Sequence, residues 1–271
     1  MALDWNELKD TSDTDPPIVT IYGDGKTGKT TLASEFPAPY YCRTSEGERQ
    51  SSGTPMKSFG VSTTYGEVID QIDYLLDPDT DHDRRTFVLD ALDGLEDMIN
   101  YEACARNQWN DIEEPGFGKG YAAAHGIWLE FIDKIMQLKK AGFYVVLIAH
   151  VKAKTVPGIT TESFPKYMIN LRDDYGALVY NSSDLIGFLH QGVSVKKEEV
   201  GFKKVNKRGE GAGIIEIAVQ GRPGYTAGNR YEIPVRTIPF KFGQGFAALN
   251  KYFPPQPDVI SSKVDEVDEE E

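Results

Sequence analysis

Gly23-Asp24-Gly25-Lys26-Thr27-Gly28-Lys29-Thr30 stands directly behind the apolar run Ile18-Val19-Thr20-Ile21-Tyr22 and directly ahead of Thr31-Leu32-Ala33-Ser34-Glu35-Phe36. The eight residues match the phosphate-binding spacing G-x-x-x-x-G-K-[ST] at every fixed position. Glycine is needed there because the backbone wraps an anion with its N–H groups turned inward, and a Cβ would block the approach. A helix that begins where the loop ends turns its positive terminus toward the same anion. The segment therefore predicts strand, loop and helix, with Gly23 through Thr31 around the phosphates of a nucleoside triphosphate. Lys29 is expected to reach the β- and γ-phosphates, and the Thr30 hydroxyl to hold Mg²⁺. The strand before and the helix after weigh against the alternative, a glycine-rich surface turn.

Outward from the loop, Pro39 to Arg43 reads as a second strand and Thr44 to Glu48 as a polar turn. Thr64 and Glu67 are spaced as a capping box ahead of a helix bearing Val68, Ile69, Ile72, Leu75 and Leu76. Thr86 to Asp90 is an apolar strand ending in a carboxylate, followed by a helix over about 94–106, a Gly/Pro loop, and a long helix over about 121–140. Phe143 to Ala149 is a fully apolar strand that ends at His150. Strands alternating with helices predict an α/β fold with a mainly parallel sheet covered on both faces. Beyond residue 184 the pattern changes to strands at 185–190, 214–219 and 231–235 and a basic hairpin around 193–207, which predicts antiparallel strands toward the C-terminus.

The 271 residues suit one large domain, here 16–253, between an N-terminal arm at 1–15 and an acidic tail at 254–271 expected to be disordered. Trp5 and Leu8 of the arm are candidates for a subunit contact. The net charge of −13 is unevenly spread: the tail carries −6 and the arm −4, leaving −3 for the body. Residues 150–172 and 196–210 are each +3. A body with basic segments and acidic appendages fits a polyanion partner, although solvated loops are the commoner meaning of such clusters. The N-terminus is acidic and polar, and the longest apolar run is too short to span a bilayer, so a soluble cytoplasmic protein with no membrane partner is expected. Cys42 and Cys104 fall in no metal or redox spacing and are expected to be buried thiols.

Nucleotide hydrolysis requires a carboxylate opposite the phosphate loop to hold Mg²⁺, and Asp90 at the end of a strand fits, with Asp93 the alternative. A water-positioning group belongs at the carboxyl edge of the sheet. Glu46, after the second strand, is the leading candidate and Glu48 its competitor. His150 ends the apolar strand at the same edge, where it could sense the γ-phosphate. The segment 151–166 shows neither helical nor strand period and reads as a long basic loop. Lys152, Lys154 and Lys166, together with Lys203, Lys204, Lys207 and Arg208 of the hairpin, are the candidate polyanion contacts.

These motifs, with Gly118-Lys119-Gly120-Tyr121, Ser183-Asp184-Leu185 and Ala227-Gly228-Asn229-Arg230, occur in an order that resembles phage-encoded RecA-like ATPases. The chain is most similar to the Sak-four group of single-strand annealing recombinases, over about residues 16–240. The resemblance implies a RecA-like core, ATP between subunits of a ring or filament, and single-stranded DNA held by loops. It implies Glu46 as water activator, His150 as γ-phosphate sensor, and DNA contacts after His150 and around Arg106 to Lys119. Arg230 resembles a basic residue that completes a neighbour's ATP site, but Gly228 stands where many relatives have lysine. The acidic tail resembles tails that recruit partners, such as those of single-strand DNA-binding proteins. Other function classes consistent with the phosphate loop are a nucleotide-gated helicase loader or recombination accessory protein and a small-molecule kinase; the latter lacks its usual arginine-rich lid.

Overall fold

The structure is a computed structural model that describes residues 14–48, 50, 52–158, 162–199 and 205–256. The arm up to residue 13, Lys203, Lys204 and the tail from residue 257 lie outside the described residues.

β1 (Ile18–Gly23) is buried along its whole length. It runs parallel to β4 (Tyr144–Val156) on one side and β6 (Leu185–Glu199) on the other, with Gly23 beside both His150 and Leu189. β2 (Pro39–Arg43) and β3 (Thr86–Asp90) extend the parallel sheet beyond β4. On the other flank β7 (Val205–Ala218) and β9 (Thr237–Phe240) add antiparallel strands, giving the order β2-β3-β4-β1-β6-β7-β9. β8 (Gly228–Asn229) pairs with the start of β6. The architecture is the α/β fold expected, parallel in the middle and antiparallel toward the C-terminus.

Alternation along β1 divides the core in two. Ile18 and Tyr22 join Ile72, Leu95, Trp128, Phe131 and Tyr175 on the face covered by α2 (Tyr65–Leu76), α3 (Leu92–Asn107), α4 (Lys119–Lys140) and α5 (Asp173–Ser182). Val19 and Ile21 join Leu32, Phe36, Ile217, Phe240 and Leu249 on the face covered by α1 (Lys29–Ala33) and α6 (Gly245–Asn250). Burial on both faces is why β1 reads as a continuous apolar run. The helix after the loop is shorter than its apolar pattern suggested, ending at Ala33. Thr64 caps α2 by accepting from Glu67 N, while the Glu67 carboxylate reaches Thr63 N, so the reciprocal bond is shifted by one residue.

Two expectations are corrected. The segment 151–166 is not an irregular loop: β4 continues to Val156 and pairs with β5 (Phe164–Ile169) as an antiparallel hairpin, Lys154 opposite Lys166 and Lys152 opposite Met168. Residues 231–235 are not a strand. The Asn229 side chain accepts from Tyr231 N and Ile233 N, and Pro234 has no N–H to give a ladder, so the strand forms later, as β9. The basic hairpin is realised by β6 and β7, paired from Val193/Gly211 to Glu199/Val205. Cys42 and Cys104 are free and buried. No helix among the described residues is long and apolar enough to cross a membrane.

Candidate nucleotide site

The phosphate loop leaves β1 through Gly23, where a Cβ would lie 2.3 Å from Leu189 O, so only glycine fits between the neighbouring strands. It re-enters at Gly28 (φ +92°), which caps α1. Among the described residues no backbone N–H from Asp24 to Thr30 donates to a protein acceptor. Lys29 is buried, and its Nζ donates to Gly23 O at 2.9 Å and Asp24 O at 2.8 Å. Burial holds the ammonium below the usual lysine range, while Asp90, Asp93 and Asp24 oppose that shift. A row of free N–H donors beside a buried cation at a helix N-terminus fits a polyphosphate. Thr27 braces the loop by donating to Asp24 O at 2.8 Å. Lys26 has a left-handed backbone (φ 63°) and, with Asp24 and Gly25, faces solvent. The Thr31 hydroxyl shares a 2.7 Å hydrogen bond with Ser52 Oγ.

Thr30 Oγ1 donates to Asp90 Oδ2 at 2.7 Å, and the Tyr41 hydroxyl donates to the same oxygen at 2.8 Å. Burial pushes the Asp90 carboxyl above its ordinary range, opposed by those two hydrogen bonds and by Lys29 and His150. Thr30 and Asp90 thus form a hydroxyl and carboxylate pair at the loop, a donor set that suits Mg²⁺ with retained water. Asp93 is turned elsewhere: its Oδ2 meets His150 Nδ1 at 2.7 Å and its Oδ1 accepts from His150 N at 3.3 Å. His150 is level with Gly23 and partly exposed at the carboxyl edge.

The two glutamates after β2 separate. Glu46 is exposed on the turn. Glu48 folds back, its Oε2 accepting from Ser45 N at 2.9 Å, Thr44 N at 3.1 Å and Thr44 Oγ1 at 3.2 Å. Burial, then the charge of Asp90, pushes the Glu48 carboxyl up to about 7, against the pull of the Thr44 and Ser45 N–H groups. Glu48, His150 and Asp93 line one open cavity of about 540 Å³, which extends past Lys152 to Arg172. The carboxylate brought to this cavity is therefore Glu48, where the sequence had put Glu46 first.

On the opposite flank the turn after β9 touches the loop. A Cβ on Gly28 would meet Phe240 at 3.0 Å and Phe242 at 3.2 Å, and Phe242 is exposed. Glu35, just past α1, pins this turn by accepting from Gly243 N at 2.7 Å, Gly245 N at 2.5 Å and Phe246 N at 3.1 Å. The sequence reading missed both residues. Two aromatics in a Gly-bearing stretch, Phe240 to Gly245, were the available signal.

The cations disperse. Lys152, Lys154 and Lys166 share one face of the β4–β5 hairpin, and Lys152 and Lys154 both reach Asp173. Lys119 is exposed at the start of α4. Lys207 and Arg208 sit on β7, in register with Lys197 and Lys196. Arg106 is not available as a free contact, since it pairs with Glu102 and Glu130. Arg230 does not approach this chain's loop. It pairs with Asp184 at 3.2 Å and donates to Asn181 O at 2.6 Å. Asp184 also accepts from Ile18 N and buried Lys139, which places the cluster at the amino edge, a strand length from the loop.

Residues 15–231 match the AAA domain family, a match that spans well over half of the chain. No curated protein matches the sequence. The chain belongs to the AAA domain family of nucleotide-binding P-loop ATPases, which generally use ATP and Mg²⁺.

Proposed function

We propose that this protein is an ATP-hydrolysing DNA recombination protein, a RecA-like recombinase or annealing protein of phage type, acting on single-stranded DNA as an oligomer. The observation that carries the ATPase part is the free row of loop N–H groups beside buried Lys29, with the Thr30–Asp90 pair alongside.

In this reading the loop N–H groups and Lys29 would hold the triphosphate. Thr30 and Asp90 would hold Mg²⁺, which would neutralise developing negative charge on the phosphates. Glu48 orients a water and takes its proton as the water oxygen bonds to the γ-phosphorus. The bond from that phosphorus to the β–γ bridging oxygen breaks, and ADP and phosphate leave. His150, held by Asp93, stands at the γ end. Phe242 offers the base a stacking surface.

The DNA part is supported by the basic face of the β4–β5 hairpin, which continues from His150 without a break in β4. Phosphate contacts from Lys152, Lys154 and Lys166 carry affinity without reading sequence. Lys119 and the β6–β7 hairpin are further contact candidates, and the acidic tail would recruit a single-strand DNA-binding protein or another recombination protein. A second reading, a nucleotide-gated loader or accessory protein with little turnover, is favoured by one observation. Arg230 pairs with Asp184 at the amino edge, away from this chain's own phosphate loop.

The deciding experiment measures ATP hydrolysis by the purified protein with and without single-stranded DNA, at low and moderate salt. DNA-stimulated turnover that Lys29→Ala abolishes supports the recombinase reading. Nucleotide binding without turnover or DNA binding at either salt leaves the accessory reading.

A further inference from the structure

Two side chains, one in β2 and one just past its end, each meet a different carboxylate of the site. Tyr41 is buried among Val88, Val146 and Ile148, so its ring is fixed by the core, and its hydroxyl donates to Asp90 Oδ2 at 2.8 Å. Burial and the adjacent Asp90 push the phenol above its ordinary range, which keeps it a donor. Thr30 uses the same oxygen, and among the described residues Asp90 Oδ1 has no protein partner. One carboxylate oxygen is thus held from two sides and the other is left for the metal's water shell.

Thr44, three residues on, is bolted to the strand beside it. Its Oγ1 accepts from Ala91 N at 2.8 Å and lies 2.9 Å from Ala91 O and 3.2 Å from Glu48 Oε2. Its N–H lies 2.8 Å from Asp90 O and 3.1 Å from Glu48 Oε2. The first turn of α3 leaves room for this side chain only because residue 94 is glycine, whose Cβ would stand 2.3 Å from Thr44 Oγ1.

We infer that the end of β2 is a bracket with a division of labour, Tyr41 setting the metal-side carboxylate Asp90 and Thr44 setting the water-side carboxylate Glu48. Both are positioning residues, acting through the carboxylates they hold. This rests on the ATPase reading above. A merely structural role for either residue would show in thermal stability alone, whereas the bracket separates into two functional readouts.

The test compares wild type, Tyr41→Phe, Thr44→Val and Thr44→Ser for Mg²⁺-dependent binding of a fluorescent ATP analogue, for kcat and KM, and for Tm. Tyr41→Phe keeps the ring and is expected to raise the Mg²⁺ half-saturation about tenfold, the usual effect of losing a group that orients a metal ligand. Thr44→Val is expected to lower kcat about tenfold or more with Mg²⁺ and nucleotide affinity unchanged, and Thr44→Ser to restore it. Mg²⁺ half-saturation unchanged within about twofold in Tyr41→Phe overturns the inference; so does a folded Thr44→Val with full kcat. If Thr44→Val does not fold, Thr44→Ala takes its place with the same expected loss of kcat, and Tyr41→Phe decides the metal side on its own. A wild type that binds no nucleotide at any Mg²⁺ concentration sinks the ATPase reading itself, a result distinct from either variant's.

Discussion

The Thr30 hydroxyl reaches Asp90 Oδ2 across 2.7 Å, joining the first turn of α1 to the end of β3 even though β4 lies between β1 and β3 in the sheet. A side chain from the loop and one from a strand two places away meet only if the sheet holds its register. Asp90→Asn tests what that carboxylate is for. Because burial disfavours the charged form, the neutral isostere is expected to leave Tm unchanged or raised while ATP turnover falls at least about a hundredfold. Calorimetry beside a phosphate-release assay reads both; a large loss of Tm with turnover preserved would contradict the assignment.

Glu48 and Glu46 are distinguished by paired substitutions. Glu48→Gln is expected to cut turnover about a hundredfold with nucleotide binding intact, and Glu46→Gln to stay within about twofold of wild type. Reversed results would return the role to Glu46.

The Glu48 carboxyl also sets a pH dependence. Its folded-state value is raised to about 7, and the water-orienting form is the ionised one, so turnover should rise from pH 6 to pH 8 with a midpoint near 7. For stability the sign is opposite: a carboxyl whose pKa is raised by folding favours the folded state below its unfolded value, and that contribution is lost as pH climbs through about 7. The Glu48→Gln variant should lose this part of the pH dependence of Tm.

Charge reversal at Lys152, Lys154 or Lys166 tests the hairpin face. Each Lys→Glu change is expected to weaken single-stranded DNA binding and to lower the slope of log affinity against log salt by about one. ATP affinity without DNA should be unchanged. A salt slope indifferent to all three would move the DNA contact elsewhere.

Two glycines of α4 should respond oppositely to alanine. At Gly120 a Cβ would sit 1.8 Å from Ile112 O, so Gly120→Ala is expected to destabilise by about 2 kcal/mol or more. At exposed Gly126 a Cβ meets nothing, and Gly126→Ala should stabilise by up to about 1 kcal/mol through helix propensity. Denaturant midpoints for both variants check this.

The parts of the site readable in the sequence are those fixed by local spacing. The loop from Gly23 to Thr30 and the strand ending at Asp90 are contiguous patterns, and their meeting follows from a parallel sheet. The burial of Glu48 was less legible because it depends on how the turn folds back onto Thr44 N and Ser45 N, within a few residues but without a period. The Arg230–Asp184 pair was not legible because its members lie 46 residues apart in sequence. The Glu35 clamp on the turn after β9 spans more than 200 residues, a pairing no local pattern announces. The β4–β5 hairpin was hidden for another reason: β4 runs on past the sheet edge, where its residues lose the double-sided burial that made Tyr144 to Ala149 recognisable.

That overrun has a mechanical meaning. The backbone that carries His150 beside the phosphate loop is the same strand that carries Lys152 and Lys154, and pairing with β5 stiffens it from Val151 to Val156. Six extended residues span roughly 20 Å. Over that length, a tilt of a few degrees at the sheet edge would translate into about an ångström at Val156. A displacement of that size would suffice to make or break a hydrogen bond, and the ties from Lys152 and Lys154 to Asp173 are what oppose it.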